Sequence, residues 1–219
     1  MKASARPFAL KISEIFLSLQ GESSRVGLPS VFIRLTGCPL RCVWCDTTYA
    51  FNGGQTMSLP EILAEVAHHA LPHVCVTGGE PLAQPACLPL LSELSEAGHA
   101  VSLETSGALD IGGVDPRVSR IVDLKAPGSG EFHRNRWQNL ALLTANDELK
   151  LVLKDRADYE WARQLIVDRQ LAALCPVLLS PVEGELPAVT LADWILADRL
   201  PVRFQLQLHK VLWGKMRGR

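Results

Sequence analysis

Ser58-Leu59-Pro60-Glu61-Ile62-Leu63-Ala64-Glu65-Val66-Ala67, followed by His73-Val74-Cys75-Val76-Thr77-Gly78-Gly79-Glu80-Pro81, decides the fold class. Ser58 and Glu61 stand at the spacing of a capping box, in which the serine oxygen and the glutamate each satisfy an orphan amide. Leu59, Ile62, Leu63, Val66, Ala67 and Ala70 then recur on one helical face. The second segment is a short apolar run bounded by turn residues, as interior parallel strands are. A helix that hands over to such a strand is one unit of an α/β chain.

The same alternation extends in both directions. Strands are predicted at Lys11–Leu19, Val31–Leu35, His73–Thr77, His99–Glu104, Arg120–Leu124, Glu148–Leu153, Cys175–Leu179 and Val202–Leu208. Further helices are predicted at Pro85–Ala97, stopped by Gly98, and at Ala157–Ala173. Parallel strands joined by right-handed crossovers build a barrel or an open sheet. Six or seven of them fall short of a closed eight-unit barrel. The expected fold is therefore α/β, a reduced, partial TIM-like (β/α)6 barrel of mostly parallel strands with its active site at the C-terminal strand ends.

The chain has 219 residues, enough for one domain across 1–219, with 1–8 expected as a flexible N-terminus and 211–219 as a C-terminal tail. Apolar residues make up 47%, which excludes a disordered or fibrous chain. No apolar run approaches the roughly eighteen residues needed to cross a bilayer. The first residues lack a signal-peptide apolar core, so a cytoplasmic protein without a membrane partner is expected. A net charge of −1 argues against a nucleic-acid footprint, and the four cations after Leu208 read as a solvated end.

Three of the six cysteines fall in Gly37-Cys38-Pro39-Leu40-Arg41-Cys42-Val43-Trp44-Cys45-Asp46-Thr47, directly after a predicted strand. A protein-saturated iron–sulfur cubane takes four thiolates, so Cys38, Cys42 and Cys45 can hold a [4Fe–4S] cluster with one iron left open. A structural zinc site would need a fourth protein ligand, and His68, His69 and His73 stand at no familiar zinc spacing. Cys75, Cys87 and Cys175 sit in apolar surroundings and are assigned to the core. In Val76-Thr77-Gly78-Gly79-Glu80-Pro81, two glycines allow close backbone approach and the carboxylate is a candidate for an ammonium group. Asp123-Leu124-Lys125 and Glu104-Thr105-Ser106-Gly107 leave other strand ends with polar groups, as Ser180-Pro181-Val182-Glu183 does. Each is a ligand contact or a capped turn.

The cysteine loop, with an aromatic residue before its third cysteine, resembles that of the radical S-adenosylmethionine superfamily. The Gly78-Gly79-Glu80 segment resembles the motif by which that superfamily meets the methionyl amine. Glu14-Ile15-Phe16-Leu17-Ser18-Leu19-Gln20-Gly21-Glu22, Val31-Phe32-Ile33-Arg34-Leu35-Thr36-Gly37-Cys38, Cys45-Asp46-Thr47 and Gln207-Leu208-His209-Lys210 narrow the resemblance. Together they are similar to the 7-carboxy-7-deazaguanine synthase family, from about Ile12 to Lys210, with a poor match between Pro127 and Asn146.

That resemblance implies a lyase of queuosine-type base biosynthesis. It would turn 6-carboxy-5,6,7,8-tetrahydropterin into 7-carboxy-7-deazaguanine with loss of ammonia. It also implies S-adenosylmethionine used catalytically, Mg²⁺, a homodimer, and an electron donor such as flavodoxin or ferredoxin. Leu19, Gln20, Gly21, Arg34 and Thr77 would contact the pterin. Trp44, Cys45, Asp46, Gly79, Asp123, Leu124 and Lys125 would contact S-adenosylmethionine, and Thr47 would offer Mg²⁺ its hydroxyl. A substrate carboxylate suits an arginine fork, although strand alternation alone leaves open whether Arg34 faces solvent. Two departures stand out. Ser23 replaces the glycine of an expected Gly-Glu-Gly, and residues 211–219 run past the short terminus of some members. A glycyl-radical activase, acting on a protein, shares the cysteine spacing. The polar Glu131-Phe132-His133-Arg134 stretch is either part of the site or a solvated loop.

Overall fold

The computed structural model of the protein describes residues 8–218, so all of the expected flexible N-terminus except Phe8 lies outside the described residues, as does Arg219. Among the described residues nine strands form one sheet: β1 (Ala9–Leu19), β2 (Pro29–Leu35), β3 (Gln55–Ser58), β4 (His73–Gly78), β5 (Ala100–Thr105), β6 (Ser119–Asp123), β7 (Glu148–Leu153), β8 (Val177–Pro181) and β9 (Arg203–Phe204). Their order is β3-β1-β2-β4-β5-β6-β7-β8-β9, open at both ends. β1 runs antiparallel to β2 and β3. From β2 to β9 every pairing is parallel. This is the unclosed, mostly parallel partial barrel that the alternation of segments predicts.

The helices are α1 (Leu59–His68), α2 (Cys87–Glu96), α3 (Arg156–Asp168), α4 (Leu171–Leu174), α5 (Ala188–Asp198) and α6 (Leu208–Trp213). At the start of α1 the Glu61 carboxylate accepts both the backbone N–H and the hydroxyl of Ser58, each at 2.7 Å. The predicted Ala157–Ala173 helix breaks into α3 and α4 because Gln170 takes a left-handed conformation, φ 50. No α-helix joins β5 to β6 or β6 to β7. Residues 106–118, with Gly107, Gly112, Gly113 and Pro116, carry no helical period, and 127–142 hold only short 3-10 turns. The predicted strand Val202–Leu208 shrinks to β9. The chain leaves the sheet there because Leu208 N–H donates to Gly21 O at 2.9 Å and Gln205 binds Ser23.

Strand alternation divides the sheet into two faces. Val31, Ile33 and Leu35 of β2, with Val74 and Val76 of β4, point to the helices and pack with Ile62, Val66 and Leu90. Leu149, Leu151 and Leu153 of β7 do the same against Tyr159, Ala162 and Ile166 of α3. The intervening positions face inward. Phe32 and Arg34, Ile121 and Asp123, and Lys150 and Val152 line a single cavity on the other face. Cys75, Cys87 and Cys175 are buried, as expected of core cysteines.

Candidate active site

The cavity has a volume of ≈ 620 Å³ and opens at the C-terminal ends of the parallel strands. The cluster loop supplies Cys42, Trp44, Cys45, Asp46 and Thr47 to its wall. All six cysteines are free, but the three of the loop are half-buried whereas the other three are buried. Among the described residues, no three His, Cys, Asp or Glu side chains converge on a single-ion site. A cubane does not require such convergence, since each thiolate binds its own iron. The loop therefore fits a three-cysteine cluster. Burial pushes the Cys42 thiol up to about 11 and raises that of Cys38, so cluster binding must drive their deprotonation.

Gly78 lies against the β2 backbone at Leu35 and Gly79 against the cluster loop, and neither has room for a side chain. A Cβ on Gly79 would stand 2.2 Å from Gly37 O and 2.9 Å from Cys38 Cβ. Glu80 N–H donates to Gly37 O at 2.8 Å. The expectation for Glu80 itself is corrected. Its carboxylate is fully buried and accepts from Leu82 N–H, Ser106 N–H and the hydroxyls of Thr105 and Ser106. It braces two strand exits and has no face left for a ligand.

Within the same cavity Arg34 donates through Nε to Glu14 Oε1 at 2.7 Å. Its guanidinium lies 5.6 Å from the Phe16 ring centroid and 5.9 Å from that of Tyr49. Its two terminal nitrogens have no hydrogen-bond partner among the described residues, and the side chain lines the cavity. Glu104 sits at the base, accepting from Thr77 Oγ1 at 3.0 Å and from Gln20 Nε2 at 3.3 Å.

A chain of polar contacts links the walls. Lys210 Nζ bonds Asp46 Oδ2 at 2.9 Å and Gln207 Oε1 at 2.6 Å. Gln207 Nε2 donates to Glu22 Oε1 at 2.6 Å, and Glu22 pairs with Lys150. Lys150 in turn lies 3.7 Å from Asp123, which holds Lys125 at 2.9 Å. Burial opposes ionisation of Glu22, but the charge and hydrogen bond of Lys150 outweigh it and hold the carboxyl down at about 2. Burial likewise opposes the charge on Lys150, and Glu22, Asp123 and Glu104 keep it protonated.

Leu19, Gln20, Arg34, Thr77, Trp44 and Cys45 all line the cavity, as do Asp46, Thr47, Gly79 and Asp123. Four expected residues do not. Leu124 turns into the helical core, and Lys125 stays beside Asp123 with its N–H on Asn135. Gly21 is covered, since a Cβ there would lie 2.2 Å from His209 Nδ1. Cys38 sits behind Gly79. Ser180 is fully buried off the cavity, while Glu183 reaches the rim. Lys150, Gln207 and His209 are further wall residues that sequence reasoning left without a role. The signal for Lys150 is its place between Leu149 and Leu151, on the face opposite the apolar residues. Gly214, Lys215, Met216, Arg217 and Gly218 border the mouth, with the Arg217 guanidinium 4.1 Å from the Tyr49 ring centroid.

Ser23 occupies the left-handed region, φ 68, that the expected glycine would favour. Its N–H donates to Gln205 Oε1 at 2.9 Å and its carbonyl accepts from Gln205 Nε2 at 2.8 Å. Gln205 thus clamps the backbone of this left-handed serine on both its N–H and its carbonyl.

The Radical SAM superfamily matches residues 32–166 of this chain, the cluster loop included. A 7-carboxy-7-deazaguanine synthase of Chlorobaculum tepidum is 47% identical over 94% of this chain and 94% of its own length. The chain belongs to the 7-carboxy-7-deazaguanine synthase family. The synthase of Koribacter versatilis is 44% identical over 93% of this chain and 97% of its own. The crystal structure of QueE from Escherichia coli superposes with a TM-score of 0.73 at 26% identity, over 92% of this chain and 95% of that one. Streptococcus suis SuiB bound to precursor peptide SuiA, at 13% identity and TM-score 0.58, shares the fold alone. As a radical SAM enzyme of this family, the chain uses a [4Fe–4S] cluster and S-adenosylmethionine.

Proposed function

We propose that this enzyme converts 6-carboxy-5,6,7,8-tetrahydropterin into 7-carboxy-7-deazaguanine with release of ammonia. The observation that carries this reading is Arg34, fixed through Nε by Glu14 with its fork unpaired, in the same cavity as Cys42 and Cys45. A fork held in that way suits a bidentate carboxylate. Gln20, Leu19 and Thr77 would bind the polar pterin edge, with Gly21 seating that segment through its carbonyl, which accepts from Leu208 N–H. Trp44, Cys45, Asp46, Gly79 and Asp123 would hold S-adenosylmethionine, with Leu124 packed in the core behind them and Lys125 fixing the Asp123 carboxylate through Nζ. When bound, the cluster and S-adenosylmethionine supply a carbon-centred radical.

Thr47 would give Mg²⁺ one oxygen, the remainder coming from substrate and water, as suits a hard cation with few protein ligands. The single sheet supports reading residues 1–219 as one domain, working as a homodimer in the cytoplasm and reduced by a small redox protein. No described helix is long and apolar enough to cross a membrane. The cavity, bordered by the 214–218 segment, suits a small molecule better than the protein partner of an activase. The test is anaerobic reconstitution with reductant, S-adenosylmethionine, Mg²⁺ and 6-carboxytetrahydropterin. It should give 7-carboxy-7-deazaguanine by mass, and Cys42→Ala should give none. Cofactor cleavage without that product would overturn the substrate assignment.

A further inference from the structure

The cavity mouth carries a basic residue with no role in the function proposed above. The stretch Glu131-Phe132-His133-Arg134 does not line the cavity, whose basic wall residues are Arg34, Lys150, Lys210, Lys215, Arg217 and His209. Lys150 is answered by Glu22 and Lys210 by Asp46. Arg34 is answered as well, because its Nε donates to Glu14 Oε1 at 2.7 Å. Tyr49 donates to the same oxygen at 2.8 Å, and burial pushes its hydroxyl up to about 12, so it stays neutral. The Arg34 fork can orient a carboxylate, but the charge behind it is already balanced by Glu14. A substrate carboxylate leaving water needs a net positive partner.

Arg217 stands where that charge is missing. With Lys210 fixed to Asp46, α6 runs on to Trp213 and stops at Gly214, whose φ 60 and ψ −122 suit glycine alone. The residues after this turn border the mouth, and the Arg217 guanidinium comes to 4.1 Å from the Tyr49 ring centroid. Arg34 meets the same ring at 5.9 Å, and both arginines line the cavity. Among the described residues Arg217 forms no salt bridge, and its side chain is exposed. Two guanidinium groups and one carboxylate around Tyr49 leave a single positive charge, the complement of one carboxylate. Arg217 lies in the stretch that runs past the short terminus of some family members, so the resemblance assigns it nothing.

We propose that Arg217 is a substrate-binding residue, supplying the net charge that attracts the pterin carboxylate while Arg34 supplies the fork that orients it. This deepens the function proposed above and rests on its carboxylated substrate. The two arginines divide the work. Arg34 is buried and fixed by Glu14, so it sets geometry, and Arg217 sits on the exposed tail, where its charge steers the anion into the mouth. Charge alone is asked of Arg217, so a lysine serves there, whereas at Arg34 it does not.

The test is calorimetric binding to full-length reconstituted enzyme with S-adenosylmethionine present and reductant left out, so that nothing turns over. The probes are 6-carboxytetrahydropterin and the same pterin lacking the carboxylate. Arg217→Gln should weaken the Kd of the carboxylated pterin by about three- to tenfold and Arg217→Glu by about tenfold or more, with Arg217→Lys close to wild type. The pterin without the carboxylate should bind all four proteins alike, and rising salt should weaken the carboxylated one less in Arg217→Gln than in wild type. Equal Kd values across the four proteins, or a loss shared by both pterins, would overturn the role of Arg217. Wild type that binds the carboxylated pterin but forms no 7-carboxy-7-deazaguanine once reductant is added would instead overturn the reaction assigned above. Wild type that binds neither pterin would overturn both.

Discussion

Lys210 of α6 holds Asp46 of the cluster loop at 2.9 Å, so the segment after the last strand is fastened to the loop that carries the cysteines. Lys210 also holds Gln207, which reaches Glu22 and through it Lys150. One lysine thus ties together the cofactor side and the substrate side of the cavity. Asp46 is partly exposed, so the pair itself is worth no more than about 1 kcal/mol. Lys210→Ala is expected to leave the unfolding midpoint nearly unchanged while raising the KM for S-adenosylmethionine by about three- to tenfold, because Asp46 loses its fixed position. Denaturant melts and steady-state kinetics check both parts. An unchanged KM would show that the tie is only structural.

The Glu22–Lys150 pair sets a pH dependence whose sign is fixed. Glu22 is held down at about 2 in the folded chain against an ordinary value of 4.5. Its contribution is complete above 4.5 and is lost as pH falls through about 2. Lys150 is raised, so its share is complete below 10.5 and is lost only on the far alkaline side. Glu22→Gln should therefore flatten the acid limb of stability between pH 4.5 and about 2, as followed by urea unfolding. Equal acid slopes in the two proteins would contradict the assignment.

Gly79→Ala places a methyl group 2.2 Å from a backbone oxygen of Gly37, which no side-chain rotation can relieve. The cluster loop must shift by several tenths of an ångström, with a strain of about 1–3 kcal/mol. Reconstituted Gly79→Ala is expected to hold less than about half the wild-type iron while its far-UV circular dichroism stays native. Full iron loading would mean that the loop tolerates the shift.

At Ser23 the left-handed backbone favours glycine and penalises branched side chains. Ser23→Gly should lie within about 0.5 kcal/mol of wild type, since relief of strain offsets the lost hydroxyl contact to Arg25 N–H. Ser23→Val should cost about 2 kcal/mol in denaturant unfolding. A Val variant as stable as wild type would show that the Gln205 clamp dictates the loop regardless of residue.

Much of the fold was legible because apolar period and strand brevity speak directly: β2, β4 and β7 lie where their runs predict. The crossovers of 106–118 and 127–142 were not, because a loop leaves no period to read. The break at Gln170 was hidden since nothing in its side chain demands a positive φ. For the site, the cysteine loop and Arg34 were visible as motif and strand. The role of Glu80 is not legible, because sequence shows a carboxylate but not the four donors that enclose it. Lys150 and Gln207 went unassigned because their partners lie 128 and 185 residues away from them at Glu22.

Substrate discrimination by Arg34→Lys tests most directly whether Arg34 reads the substrate carboxylate in the cavity that holds Cys42 and Cys45. Wild type should prefer 6-carboxytetrahydropterin over the same pterin lacking the carboxylate by about 100-fold or more in kcat/KM. Arg34→Lys keeps the charge but not the fork, and should lose most of that preference with the KM for S-adenosylmethionine unchanged. A variant that discriminates as well as wild type would contradict the account.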